Sequence, residues 1–196
     1  MTLYKNYPDM IKIDNINYRI NTDFRLMMRF ELCIQHDRKD EIAKILAEFY
    51  QFNIPPDVKT AIDRMTDFYL CGEEPAVNNS RDSSAVRRCY AFDEDRKYIT
   101  AAFRQQYNVD LVHSEMHWFE FSALFAGLTD CTEFVKIMQY RCTDANKIKN
   151  NAEKKRIKRL QQRYALSENK VKHYASAGER DRAMINDLKR QLCGKQ

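Results

Sequence analysis

The sequence predicts a mainly α protein: a helical domain with a small N-terminal β-hairpin and a basic, partly extended C-terminal helical tail. Three observations predict it. Apolar residues recur at spacings of three and four through most of residues 22–142, which places them on one face of successive helices. Only four glycines and four prolines interrupt the chain, while 12% of it is aromatic, a composition that suits packed helices better than loops. One short segment near the N-terminus alternates instead. In it Ile11, Ile13, Ile16, Tyr18 and Ile20 surround Asp14-Asn15, a pair that tolerates positive φ and so reads as the tight turn between two strands.

The helices follow in order. Thr22 and Asp23 cap the first, which runs to about Gln35 and contributes Phe24, Met27, Met28 and Ile34. Asp37 caps a second, with Ile42, Ile45, Leu46 and Phe49 on one face, and Pro55-Pro56 separates it from a third. Asp57 is expected in the first turn of that third helix, where its charge suits the helix dipole, and the stripe is Val58, Ala61, Ile62, Met65 and Phe68. From Gly72 to Arg88 the composition turns to Gly, Pro, Asn and Ser, which reads as a connector.

After it, Asp93, Glu94 and Asp95 are expected in the first turn of a helix, where exposed N–H groups favour negative charge. Phe92, Tyr98, Ile99, Ala102, Phe103 and Tyr107 fall in one half of its wheel, and Asp95 falls in that same apolar half. Asn108 is a left-handed stop. Ser114 is expected to cap the next helix, whose apolar residues, among them Trp118, Phe121, Leu124 and Phe125, point all round the axis and so predict burial. Asp130 with Glu133 marks a new cap, and Phe134, Ile137, Met138 and Tyr140 carry the packing to Cys142. The expected core is Tyr98, Ile99, Phe103, Trp118, Phe121, Leu124 and Phe125. In domain terms, residues 1–71 hold the hairpin and first helices, 72–90 link, 91–143 pack with the N-terminal part into one domain, and 144–196 form the tail.

Charge is distributed unevenly. The formal net charge is +5, yet residues 1–140 carry −5 and residues 141–196 carry +10. A basic arm of this kind addresses an anionic partner. Its densest part is Lys154, Lys155, Arg156, Lys158, Arg159 and Arg163, with few apolar residues between them, so a helix here is marginal unless it docks. Either phosphates or an acidic protein surface would suit the run. Farther on, Ile185, Leu188 and Leu192 offer a short apolar face for a partner or for self-association.

Local chemistry is sparse. The six cysteines show no CxxC pair and read as reduced thiols. His113 and His117 stand four apart, but no third ligand accompanies them, so neither metal nor cofactor is expected. The glycines are too dispersed for a phosphate loop. No catalytic residue is assigned and no enzyme is expected. No window reaches about 18 uninterrupted apolar residues, so no membrane contact is expected.

The succession FDEDRKYITAAF, YNVDL and MHWFEFSALFAGL, between Phe92 and Leu128, resembles the phage gene-product-fifteen family of long, non-contractile-tailed phages and prophages of Gram-positive bacteria. YRINTDFR (Tyr18 to Arg25) and TEFVKIMQYR (Thr132 to Arg141) extend the likeness over roughly residues 11–165. Phe119 stands where family members commonly carry a second Trp. The resemblance implies a non-enzymatic tail-assembly chaperone that acts in the host cytoplasm and binds the tape-measure protein or another tail protein. Two alternatives stand beside it: a structural tail or connector component of the virion, and a nucleic-acid-binding regulator acting through the basic tail.

Overall fold

The computed structural model describes residues 7–36, 38–72 and 89–167. The expected connector over most of 72–90, the Asp37 cap and the Ile185/Leu188/Leu192 face lie outside these residues. The described chain is mainly α and forms two compact units, one of residues 7–72 with 115–123, the other of residues 89–114 with 124–167.

In the first unit, strands β1 (Met10–Ile13) and β2 (Ile16–Arg19) pair antiparallel, from Met10 opposite Arg19 to Ile13 opposite Ile16. Asp14 and Asn15 both take left-handed backbone, φ 49° and 63°, the conformation a two-residue hairpin turn requires. A lone hairpin is marginal in water. Here Ile13, Tyr18 and Ile20 are buried against helices.

Helix α1 (Phe24–His36) starts where Asp23 accepts the Arg25 N–H at 2.8 Å. Helix α2 (Lys39–Phe49) has Arg38 in the cap position, without a side-chain cap bond. Helix α3 (Val58–Tyr69) is capped by Asp57, which accepts the Lys59 N–H and so lies just outside the expected first turn, and Val58, expected on the buried stripe, is exposed at that open end. Their stripes meet around Phe24, Met27, Phe30, Ile42, Ile45, Phe49, Ile62 and Met65. Tyr50 is fully buried, and its hydroxyl donates to the Ala61 carbonyl at 2.9 Å, satisfying a group that would otherwise be costly to bury.

The segment before α5 (Trp118–Ala126) joins this unit by pairing with the entry to α1. Phe24 donates to the Met116 carbonyl, and Trp118 donates to that of Thr22. This pairing corrects the expected helix start. Glu115–His117 is drawn out to bond with residues 22–24, so α5 begins at Trp118 rather than near Ser114, whose N–H instead closes a turn onto Asp110. His117 supplies the cap, its Nδ1 accepting the Phe119 N–H at 3.0 Å. The lone Trp118 stacks on Tyr69 at 5.5 Å and donates its indole N–H to the Tyr69 carbonyl at 2.8 Å. Phe24 and Phe121 stack beside it at 4.8 Å. Truncating Trp118 would cost about 3–5 kcal/mol on the scale of buried aromatics.

The second unit contains α4 (Arg96–Tyr107), the last turn of α5, α6 (Glu133–Cys142) and α7 (Asn151–Arg163). Ile99, Ala102 and Phe103 form the buried stripe of α4, which stops at Asn108 with φ 56°. Phe92 and Phe134 are buried beside them, with Tyr90 and Phe125 in ring contact. Gln106 holds the following loop, donating to the Gly127 carbonyl and accepting the Thr129 N–H, both at 2.9 Å. The cap of α6 is Thr132, not Asp130. Its Oγ1 accepts the Val135 N–H, and it lies directly before the helix where Asp130 is two residues too early.

Of the expected core, Ile99, Phe103, Trp118 and Phe121 are buried, and Tyr98, Leu124 and Phe125 are half-buried. An apolar circumference did not make α5 a fully buried helix. Glu120, Ala123 and Ala126 are exposed along it.

Candidate partner-binding surfaces

Helix α7 is the basic run given a fixed form. Asn150 Oδ1 accepts the N–H groups of Ala152 and Glu153 at 2.9 and 3.2 Å, closing the N-terminus. Glu153 in the first turn and Arg163 in the last match the helix dipole. The thin apolar stripe suffices because it docks. Ile157 is buried, a contribution of about 1.5–3 kcal/mol, and Leu160 and Tyr164 are half-buried. Gln161 donates to the Tyr140 and Thr143 carbonyls at 3.0 and 2.7 Å, satisfying acceptors at the end of α6. Tyr164 stacks on Tyr140 and meets Tyr98 edge-on.

The outer side carries the sequence-derived candidates. Lys155, Arg156, Lys158, Arg159 and Arg163 are exposed and Lys154 is half-buried. Arg156 pairs with Glu153 at 2.9 Å in an exposed bridge, an interaction worth little in water. The guanidinium of Arg163 lies 5.5 Å from the Tyr164 ring centre.

What anchors this ridge was not among the sequence candidates. Asp95, 1% exposed, and Arg141, 9% exposed, form a two-pronged ion pair at 2.6 and 2.9 Å. Arg141 also donates to the Tyr164 carbonyl at 2.6 Å and to the Cys89 carbonyl at 3.0 Å. Asp95 Oδ2 takes the Ala91 N–H at 3.0 Å. One guanidinium therefore holds the start of α4, the chain before it and the end of α7.

The expected reading of the acids as first-turn charges is corrected. All three precede α4, and the Asp95 carboxylate makes no cap bond but turns to Arg141. The usable signal was Asp95 in the apolar half of the wheel, since a carboxylate there needs a buried cation. Glu94 has a separate task, accepting the Ser167 N–H and hydroxyl at 2.9 Å each. Beside Arg141, Cys142 forms a disulfide with Cys89 across 53 residues, with Cα atoms 5.8 Å apart. This corrects the reading of all the cysteines as reduced thiols, which rested on local spacing that a long-range pair does not show.

The first unit presents a different surface. Beyond α2, Gln51 and Phe52 adopt left-handed backbone, φ 48° and 64°, and Phe52 is 81% exposed. The Phe52 N–H bonds to the Ala47 carbonyl at 2.7 Å, and the Gln51 side chain donates to the Ile20 carbonyl at 3.1 Å. A phenyl ring is thus held out to solvent on a well-bonded turn. Ile54 and Val58 follow it in exposed positions, as do Met10 and Ile16 on the hairpin. The signal for Phe52 was a large aromatic residue between a helix end and a proline pair.

The polar groups elsewhere have structural partners. His113 Nδ1 bonds Asp110 at 2.9 Å, and this bond holds the Asp110 carboxyl below its ordinary range. His117 uses both nitrogens: Nδ1 accepts from Phe119, so Nε2 is the donor to the Pro8 carbonyl at 3.1 Å. Burial, with a hydrogen bond to Glu41 second, pushes the Cys33 thiol up to about 11, which keeps it from acting as a thiolate nucleophile at neutral pH. No group of three His, Cys, Asp or Glu among the described residues could hold a metal ion. No helix among them is long and apolar enough to cross a membrane.

Fold and surfaces together define a mainly helical protein whose distinguishing features are a basic ridge and an exposed aromatic turn. The chain belongs to the bacteriophage Gp15 protein family, whose model matches residues 3–166. It is a bacteriophage protein, and the family points to a structural or tail-related role with no known enzymatic activity. No curated protein and no solved structure matches it significantly.

Proposed function

We propose that the protein is a non-enzymatic tail assembly chaperone that acts in the host cytoplasm and binds the tape-measure protein during tail morphogenesis. Membership of the bacteriophage Gp15 family carries this reading. The exposed Phe52, Ile54 and Val58 support it, because apolar side chains held out on bonded backbone are suited to meet the apolar face of a partner helix. A factor of this kind shields such helices from aggregation until the tail tube encloses them. Co-expression with the tape-measure protein tests it. The partner should become more soluble and co-purify, and Phe52→Ser should weaken that capture. Equal solubility with and without this chain, and no complex, would refute it.

The Cys89–Cys142 disulfide favours a second reading, a structural tail or connector component retained in the virion. Disulfides persist outside the reducing cytoplasm. Mass spectrometry of purified virions separates the two, since a chaperone is absent from them and a component is present at fixed stoichiometry.

A further inference from the structure

On a helical wheel the residues of α7 divide cleanly. Ile157, Leu160, Gln161, Tyr164 and Glu153, all buried or half-buried, share one side, with half-buried Lys154 at its edge. The six cations Lys154, Lys155, Arg156, Lys158, Arg159 and Arg163 occupy the remaining arc of about 200°, which holds no acidic residue. Three pairs on that arc, Lys154 with Lys158, Lys155 with Arg159, and Arg159 with Arg163, are like charges four apart, an arrangement that disfavours a helix. Docking through Ile157, Gln161 and Tyr164 and the bond from Arg141 to Tyr164 hold it formed nonetheless. The repulsion is thereby fixed in place, and a polyanion would relieve it.

We propose that the outer face of α7 is a binding ridge for the phosphate backbone of duplex DNA. From Lys154 to Arg163 the helix rises about 14 Å at 1.5 Å per residue. The ridge thus carries one cation per about 2 Å, dense enough to meet every phosphate of a strand, which follow one another about 3.4 Å apart along the axis of duplex DNA. An acidic helix with one carboxylate every fourth residue would offer one charge per about 6 Å and leave most of the cations unmatched. Single strands are bound by base stacking on free aromatic rings. Tyr164, the ring that Arg163 of the ridge lies over, is already engaged with Tyr140 and Tyr98. The contacts are to phosphates, so binding is salt-dependent and indifferent to sequence.

The test is fluorescence anisotropy of the full chain with two labelled duplexes of unrelated sequence, about 30 base pairs each, titrated between about 50 and 200 mM salt. The variant Lys155→Gln/Lys158→Gln/Arg159→Gln removes three exposed cations that serve no described packing contact. The control Lys12→Gln/Lys44→Gln/Lys59→Gln removes equal charge from exposed positions of the other unit. Expected for the ridge variant are a loss of about tenfold or more in affinity and a log–log salt slope shallower by about 3, on both duplexes, with the control near the parent chain. Helical circular dichroism should match the parent, and a Lys155→Arg/Lys158→Arg variant should retain binding. Equal losses in ridge and control variants, or no loss in the ridge variant, would overturn the proposal. So would intact DNA binding with loss of tape-measure capture, which would give the ridge to an acidic protein instead.

Discussion

Replacing Asp95 by Ala tests whether the Asp95–Arg141 pair organises the second unit. The substitution removes both prongs of the ion pair and the acceptor for the Ala91 N–H. It leaves a guanidinium that is 9% exposed without its counter-charge. Breaking a buried pair from one side costs about 3–5 kcal/mol. Because Arg141 also bonds the carbonyls of Cys89 and Tyr164, the loss should reach α4, α6 and α7 together. The lone Trp118 belongs to the other unit, so its fluorescence is the wrong readout. Amide hydrogen exchange resolved by peptide is the right one. At about 1.36 kcal/mol per decade, exchange in the most protected amides of the three helices should accelerate by about 2.2 to 3.7 decades. Asp95→Asn, which keeps the shape and one acceptor oxygen, should cost less, about 1.5–3 kcal/mol. In the double variant Asp95→Ala/Arg141→Met no unpaired charge remains, so its effect should fall well short of the sum of the singles. Acceleration below about tenfold in all three helices, or strict additivity in the double variant, would refute the keystone role.

Three further outcomes are expected. Asn150→Ala should destabilise α7 by about 1 kcal/mol, seen as faster exchange confined to its first turn, because two N–H groups lose their acceptor. Hydrogen bonds from the Thr60 side chain and backbone hold the Asp57 carboxyl below its ordinary value of 3.8. Its stabilising effect on α3 is therefore complete above that value and lost as pH falls through the lower folded value. Asp57→Ala should speed α3 exchange at neutral pH and erase its further acceleration in acid. Native-state alkylation at neutral pH, read by peptide mass spectrometry, should label exposed Cys131 well before Cys33, whose thiol is both buried and held up at about 11.

Much of the fold could be read from local pattern. The Asp14-Asn15 turn, the Asp23 cap, the stripes of α2 and α4, that of α3 apart from exposed Val58, and the Asn108 stop all depend on neighbours within a few residues. The failures share a different origin. The start of α5 is displaced because Glu115–His117 bonds to residues 22–24, a pairing no local propensity encodes. Asp95 and Arg141 are 46 residues apart and Cys89 and Cys142 are 53 apart, so each half looked ordinary alone. Of the surfaces, the basic run was legible as charge but not as an anchored helix, because its stability comes from Gln161 and Tyr164 bonding to α6. Phe52 was legible only as an aromatic residue between a helix end and a proline pair, because its exposure is a property of the folded turn.

That turn has a consequence for mutational drift. A left-handed residue 52 favours Gly or Asn on conformational grounds alone, and a phenylalanine there costs about 1–2 kcal/mol in backbone energy. A saturation library at position 52 selected only for folding should therefore enrich Gly and Asn, whereas one selected for phage yield should keep an aromatic ring. A single codon would then separate what this chain needs in order to fold from what it needs in order to work.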